Sequence, residues 1–362
     1  MTAHGPAGRQ ERCLARAAWT NGTWEYDASV ALPYSEQEAA AAKANPQSQN
    51  IRISQMCASD VQQSWRWRWR SHNTDCPFEY PSRAGLCHRF AGKRILLYGD
   101  SLTQQLFVSL ASLAGNGTVV PRPDVCARVK PLECARVCDG STLLCHRLRF
   151  GLTLDNKGFR LPPLGNCSVR PSGVVAPLSE TFYPPCIRSF DLVMLHEFAH
   201  WVGADGMLHL EECLQRSGVQ GAARLAQTYV VDLYKGQMHR NAAFLSNATH
   251  HERTRVLLRT AVPGYPPPDV LAPDVPHGAP PVFIAPRSAA TWAHEYSQRE
   301  SSRWNHHLWA RMNAVARHAY RENGLGIMDA EAPMLQRVDG HLDELHYCLP
   351  GEMRLLRCRS NH

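Results

Sequence analysis

A buried strand that turns straight into a helix leaves a chain few architectures, and residues 94–110, RILLYGDSLTQQLFVSL, have that pattern. Arg94 to Tyr98 is a short apolar run suited to a buried strand. From there Leu102, Leu106, Leu110 and Leu113 recur at roughly helical spacing. Gly99-Asp100-Ser101 is therefore the hinge. A serine at such a turn projects its hydroxyl from the carboxyl end of the strand, and the N–H groups of the first helical turn can bind an anion. Those are the requirements of a nucleophilic serine. Taken alone, the same three residues read more simply as a capped helix start, with Ser101 or Asp100 as N-cap.

The 362 residues allow one large domain or two ordinary ones. Hydrophobic residues at 44% and charged residues at 20% exclude a disordered or fibrous chain. Although 39 Lys and Arg outnumber 32 Asp and Glu, the basic residues are scattered, so no nucleic-acid partner is expected. A mildly basic surface suits an acidic glycan.

Thirteen cysteines imply an oxidising compartment. Zinc is the competing use, but Cys126, Cys134, Cys138 and Cys145 contain no paired CxxC, which favours disulfides. The odd count leaves at least one thiol free or intermolecular. Sequons at Asn21, Asn116, Asn166 and Asn247 point the same way. No run approaches the ~18 apolar residues of a membrane span, and the opening MTAHGPAGRQ lacks the apolar core of a signal peptide. The expectation is a protein of the secretory pathway, in the Golgi lumen or secreted, whose targeting segment and membrane anchor are absent from this chain.

Before the hinge lies a preamble with Trp19, Trp24 and Tyr26, and with Trp65, Trp67 and Trp69 alternating with arginines. That alternation predicts a strand with an aromatic and a basic face. Packing onto the main domain and sugar stacking would both use these tryptophans. Beyond the hinge, Pro121 to Pro185 is loop-rich and crowded with cysteines, with a hairpin expected within Leu143 to Leu154. Asp191 to Leu195 (DLVML) and Arg255 to Arg259 (RVLLR) read as strands. Gln215 to Phe244 holds a long helical segment with Leu225, Tyr229, Leu233 and Met238 among its apolar positions. The proline-rich stretch 263–286 reads as a surface loop, with a strand possible only around Val282 to Ala285. Ser302 to Asn323 is a second long helix ended by Asn323-Gly324, and Gly326 to Asp329 starts a last strand. Alternating strands and helices argue an α/β fold with a mostly parallel sheet.

Near the C-terminus, residues 337–351 read RVDGHLDELHYCLPG. Asp343 and His346, three apart, can share one face of a turn, so the carboxylate accepts from one imidazole nitrogen and leaves the other free as a base. A surface ion pair is the plainer reading of DxxH alone.

Together these motifs resemble the trichome-birefringence-like (PC-esterase) family, a branch of the GDSL/SGNH hydrolase-like fold that includes plant polysaccharide O-acetyltransferases. The resemblance spans the Trp/Cys preamble with Asp75-Cys76, the GDS turn, DLVML followed by His200-Trp201, RVLLRTAVPG at 255–264, Arg337-Val338-Asp339-Gly340-His341, and DELHYCLPG at 343–351. It implies an SGNH-like three-layer sandwich over residues 91–362, with residues 1–90 as a Cys/Trp-rich region packed on it. It implies Ser101 as nucleophile, His346 as general base and Asp343 as its orienting carboxylate. Asp100, Gln104, Gln105 and His196 become oxyanion or donor-binding candidates, and His200, Trp201, Arg337, Asp339 and His341 substrate candidates. No bound cofactor or metal is implied; the acyl donor, acetyl or another, is a co-substrate.

Two departures stand out. Gln104-Gln105 occupy positions where plant members usually have Arg-Asn, and His196 replaces an expected asparagine donor. The second change also writes His196-Glu197-Phe198-Ala199-His200, an HExxH motif that on a helix would set His196 and His200 around one zinc. The expected activity is thus serine-dependent acyl transfer to carbohydrate hydroxyls. An acetylesterase of the same fold, a zinc metalloprotease and a glycan-binding protein with a decayed site are the alternatives.

Overall fold

The computed structural model describes residues 22–29, 67–72, 82–114, 118–129, 132–148, 182–202, 207–250, 252–262 and 308–331. Asp343, His346, Arg337, Asp339, His341 and the expected strand around Val282 lie outside the described residues. In the preamble, β1 (Gly22–Tyr26) pairs antiparallel with β2 (Trp67–Ser71), the strand expected from RWRWRW. The register sets Glu25 opposite Arg68 and Thr23 opposite Arg70, and Arg70 closes an ion pair with Glu25 at 2.7 Å.

Seven further strands form one sheet: β3 (Arg94–Gly99), β4 (Thr118–Val120), β5 (Glu133–Val137), β6 (Thr142–Leu148), β7 (Leu192–His196), β8 (Arg255–Arg259) and β9 (Gly326–Met328). Their order is β4-β5-β6-β3-β7-β8-β9, with the first two pairings antiparallel and the remaining four parallel. The fold is therefore α/β with a mixed, mostly parallel sheet. The helices are α1 (Arg83–Phe90), α2 (Ser101–Leu113), α3 (Pro184–Arg188), α4 (Ala199–Val202), α5 (His209–Arg216), α6 (Ala222–Thr249) and α7 (Trp309–Glu322).

Strand alternation separates two cores. Ile95 and Leu97 of β3 pack with Leu106, Phe107 and Leu110 of α2 and Leu86 of α1 on one face. Leu96 and Tyr98 join the larger cluster built from α5, α6 and α7 on the other. A sheet buried on both faces explains why β3 and β7 read as near-continuous apolar runs.

One element agrees with the sequence expectation and runs beyond it, and another differs from it. The long helical segment expected within Gln215 to Phe244 is α6, which carries Leu225, Tyr229, Leu233 and Met238 and runs on to Thr249; the chain turns just before it, at Ser217–Gly221, where Gly218 and Gly221 take φ of 72° and 69°. Leu225, just past the turn, is exposed. The hairpin expected within Leu143 to Leu154 instead joins β5 to β6 through residues 138–141, so Leu143 lies in its second strand.

Disulfides staple this end of the sheet. Cys134–Cys145 links directly paired residues of β5 and β6, Cys87–Cys138 ties α1 to the hairpin turn, and Cys126–Cys186 joins the 3₁₀ turn at Asp124–Cys126 to α3. Cys213 is disulfide-bonded as well. Among the described residues no helix is long and apolar enough to cross a membrane.

Candidate functional site

The five parallel strands, numbered as the chain makes them, stand in the order 2-1-3-4-5, and β3 is the first. In doubly wound sheets such a reversal of strand order opens a crevice outside the carboxyl ends of the two strands that flank it, here β3 and β7. That is where doubly wound sheets bind ligands. Gly99-Asp100-Ser101 ends β3, and His196 ends β7.

Ser101 is the first residue of α2 and is buried. Asp100 is the N-cap. Its Oδ1 accepts from the Leu102 N–H at 3.1 Å, and its carbonyl accepts from Thr103 and Gln104 at 3.0 and 3.1 Å. The Leu102 and Thr103 bonds occupy two first-turn donors that the sequence had offered to an anion, and the Gln104 bond is the helix's own first i→i−4 contact. Gly99 is fixed by close approach: a Cβ there would sit 1.9 Å from the His196 carbonyl oxygen and 2.3 Å from Thr103 Oγ1.

The ring of His196 is held between two acceptors. Nδ1 lies 3.3 Å from the Arg259 carbonyl oxygen and Nε2 3.6 Å from Asp100 Oδ1. A neutral imidazole carries one N–H, so it can donate to one of the two only. Burial pushes the ring down to about 4, against the pull of the Asp100 carboxylate, and the ring is neutral at pH 7. Nδ1 thus links the end of β7 to the end of β8, while Nε2 lies beside Asp100 at more than hydrogen-bond distance.

Asp100 Oδ2, Thr103 Oγ1, Gln104 Oε1 and His196 Nε2 are buried without a hydrogen-bond partner among the described residues. Buried polar atoms normally have one. All four lie at the carboxyl ends of β3 and β7 or on the first turn of α2. Gln105 is buried too.

Trp201, a substrate candidate by sequence, is 1% exposed and packs edge-on against Tyr234 at 5.2 Å. It belongs to the core and offers no ring to a sugar. His200 is half-buried at the second position of α4. The HExxH reading needs one helix through both histidines, yet His196 closes a strand, Glu197 and Phe198 are irregular, and the helix begins at Ala199. The i, i+4 face of a zinc protease is not formed. A cavity of about 570 Å³ lined by Lys93, Arg94 and Arg136 lies at the amino end of β3, away from Ser101.

Beside the site, past β8 and β9, sits a polar network that sequence patterning did not single out. Asn313 donates to the Ala261 carbonyl at 2.9 Å and accepts from its N–H at 2.7 Å. Glu331 accepts from Asn313 at 3.1 Å and pairs with Arg317, which also lies 3.5 Å from Asp329. Thr260 Oγ1 accepts from the N–H groups of Ala330 and Glu331. A signal existed in the sequence: Asn313 and Arg317 fall on the same stripe of α7 as Met312, Ala316 and Tyr320.

Compared with known proteins, the chain matches no family model and no curated protein.

Proposed function

We propose that this protein is a serine-dependent acyltransferase acting on carbohydrate hydroxyls, most simply a glycan O-acetyltransferase of the SGNH-like, PC-esterase type. One observation carries the reading: Ser101 stands at the first position of α2, at the carboxyl end of the parallel strand where the order of the sheet reverses. Helices on both faces of the sheet support an SGNH-like layering, and the disulfides support a lumenal or secreted setting.

In this mechanism His346, oriented by Asp343, takes the Ser101 proton. Ser101 Oγ attacks the acyl carbon of the donor, and the tetrahedral oxyanion is stabilised at the start of α2 with Gln104 or Gln105 as side-chain donor. Collapse expels the donor's leaving group, which takes up the proton, and leaves an acyl-serine. The acceptor sugar hydroxyl, deprotonated by the same imidazole, then attacks that ester and frees Ser101. His196 stays a candidate oxyanion donor, because its Nε2 has no hydrogen-bond partner among the described residues. Its Nδ1 meets the Arg259 carbonyl at the end of β8 and so orients the ring.

The test is incubation of the purified protein with an acetyl donor and an oligosaccharide panel, read by mass spectrometry beside Ser101→Ala. Acetyl mass gained on sugar by the wild type, with a loss of several orders of magnitude in the variant, is the expected result. Loss of acetyl from acetylated sugar would assign an esterase instead. A Ser101→Ala protein of near-normal activity would overturn the reading.

A further inference from the structure

A second group of chemistry-bearing side chains lies on α6 and α7, outside the candidate site. His239 of α6 and His318 and Glu322 of α7 each offer one ligand atom, and these atoms all lie within 4.8 Å of one another. The two glutamate oxygens are divided between the histidines. His318 Nε2 is 3.0 Å from Oε1, and His239 Nδ1 is 3.6 Å from Oε2. The imidazoles meet edge to face, their centroids 5.9 Å apart. Spacing of i, i+4 sets His318 and Glu322 on one face of α7, while His239 comes across from the neighbouring helix.

We propose that His239, His318 and Glu322 form a binding site for a divalent transition ion of the zinc class, which clamps α6 to α7. Bonds of ~2.0–2.1 Å to zinc place tetrahedral ligand atoms about 3.3 Å apart. The separations of 3.0 and 3.6 Å bracket that value, so closing the imidazole pair onto the ion takes only side-chain rotation. Two imidazoles and one carboxylate favour zinc over magnesium or calcium, which take all-oxygen sets. The side chains are 33%, 61% and 50% exposed in the order His239, His318, Glu322, so the ion can enter and water can complete its coordination. The N–H that faces the carboxylate before binding moves to the other ring nitrogen or is released, and the freed lone pair binds the metal. An ordinary surface hydrogen bond between histidine and glutamate would account for the α7 pair alone. It does not require a third ligand from α6.

The experiment is zinc titration of the metal-free full chain, followed by thermal unfolding and, with cobalt(II) in place of zinc, by visible absorption. The wild type should rise in Tm with zinc but not with magnesium, and cobalt(II) should give the absorption of a four-coordinate site. Loss of an outer partner alone weakens metal sites by ~10–100-fold, so His239→Ala and Glu322→Gln should each weaken zinc binding by at least that much. Both substitutions are on the surface. Should one unfold the protein, His318→Asn gives the same reading. Absence of a zinc-dependent shift in the wild type, or equal shifts and equal cobalt spectra in wild type and variants, would overturn the site.

Discussion

Gly99 and His196 hold the candidate site at its narrowest point, and each makes a prediction at the scale of one residue. Because a Cβ at position 99 would overlap the His196 carbonyl oxygen at 1.9 Å, Gly99→Ala must push β3 and β7 apart at their carboxyl ends. Overpacking of this kind costs about 1–3 kcal/mol or more, so the urea midpoint should fall accordingly. A midpoint within error of wild type would contradict the packing. His196 titrates near its ordinary 6.5 in the unfolded chain and about 4 in the fold, chiefly through burial. Between those values unfolding takes up a proton, so stability rises with pH; this contribution is complete above pH 6.5 and lost as pH falls towards 4. At 1.36 kcal/mol per pH unit, its span is about 3 kcal/mol. Denaturant curves from pH 4 to 7 should therefore flatten in His196→Asn relative to wild type, whatever the variant's absolute stability.

At the scale of elements, α7 is pinned to the end of β8 by Asn313, which satisfies both backbone groups of Ala261. Asn313→Ala leaves buried donors and acceptors unpaired and should cost about 1–3 kcal/mol by chemical denaturation. Arg317→Met is the harsher change, because Glu331 would lose its ion pair while buried, at roughly 3–5 kcal/mol. Burial already holds the Glu331 carboxyl above its usual range despite Arg317, so acidification that protonates it should lessen the Arg317→Met penalty. The legibility of these elements follows their physics. Strands β3, β7 and β8 are buried on both faces, and their apolar runs announce them. Helix α6 was legible from its apolar positions, but its start at Ala222 was not, because Leu214 and Ala226 are both buried and carry the apolar pattern across the turn; Gly218 and Gly221 were its only marks. Strand β5 has the sequence ECARV, whose mixed burial and paired cysteine give no clean period. The hinge at Ser101 was readable locally. What His196 touches was not, since Asp100 and Arg259 come from strands far apart in sequence, and the HExxH spacing suggested a helix where the sheet imposes a strand end.

The whole molecule is reinforced unevenly. Peptide mapping without reduction should recover Cys87–Cys138, Cys126–Cys186 and Cys134–Cys145, which span 51, 60 and 11 residues. Recovery of these cysteines as free thiols would contradict the fold at its β4-β5-β6 end. Reduction should destabilise the chain by a few kcal/mol per bridge, the 11-residue link contributing least because it restricts the unfolded chain least.

Strands β7, β8 and β9 and helices α6 and α7 carry no cysteine. Native-state hydrogen exchange should accordingly show β5 and β6, cross-linked to each other, as the slowest-exchanging strands, and β9 at the far edge of the sheet as one that opens at lower free energy. Ser101 follows β3 and His196 ends β7, and neither strand carries a cysteine. The candidate site thus lies outside the cross-linked pair of strands, so on mild heating the activity proposed for Ser101 should fail while β5 and β6 still keep their deuterium out.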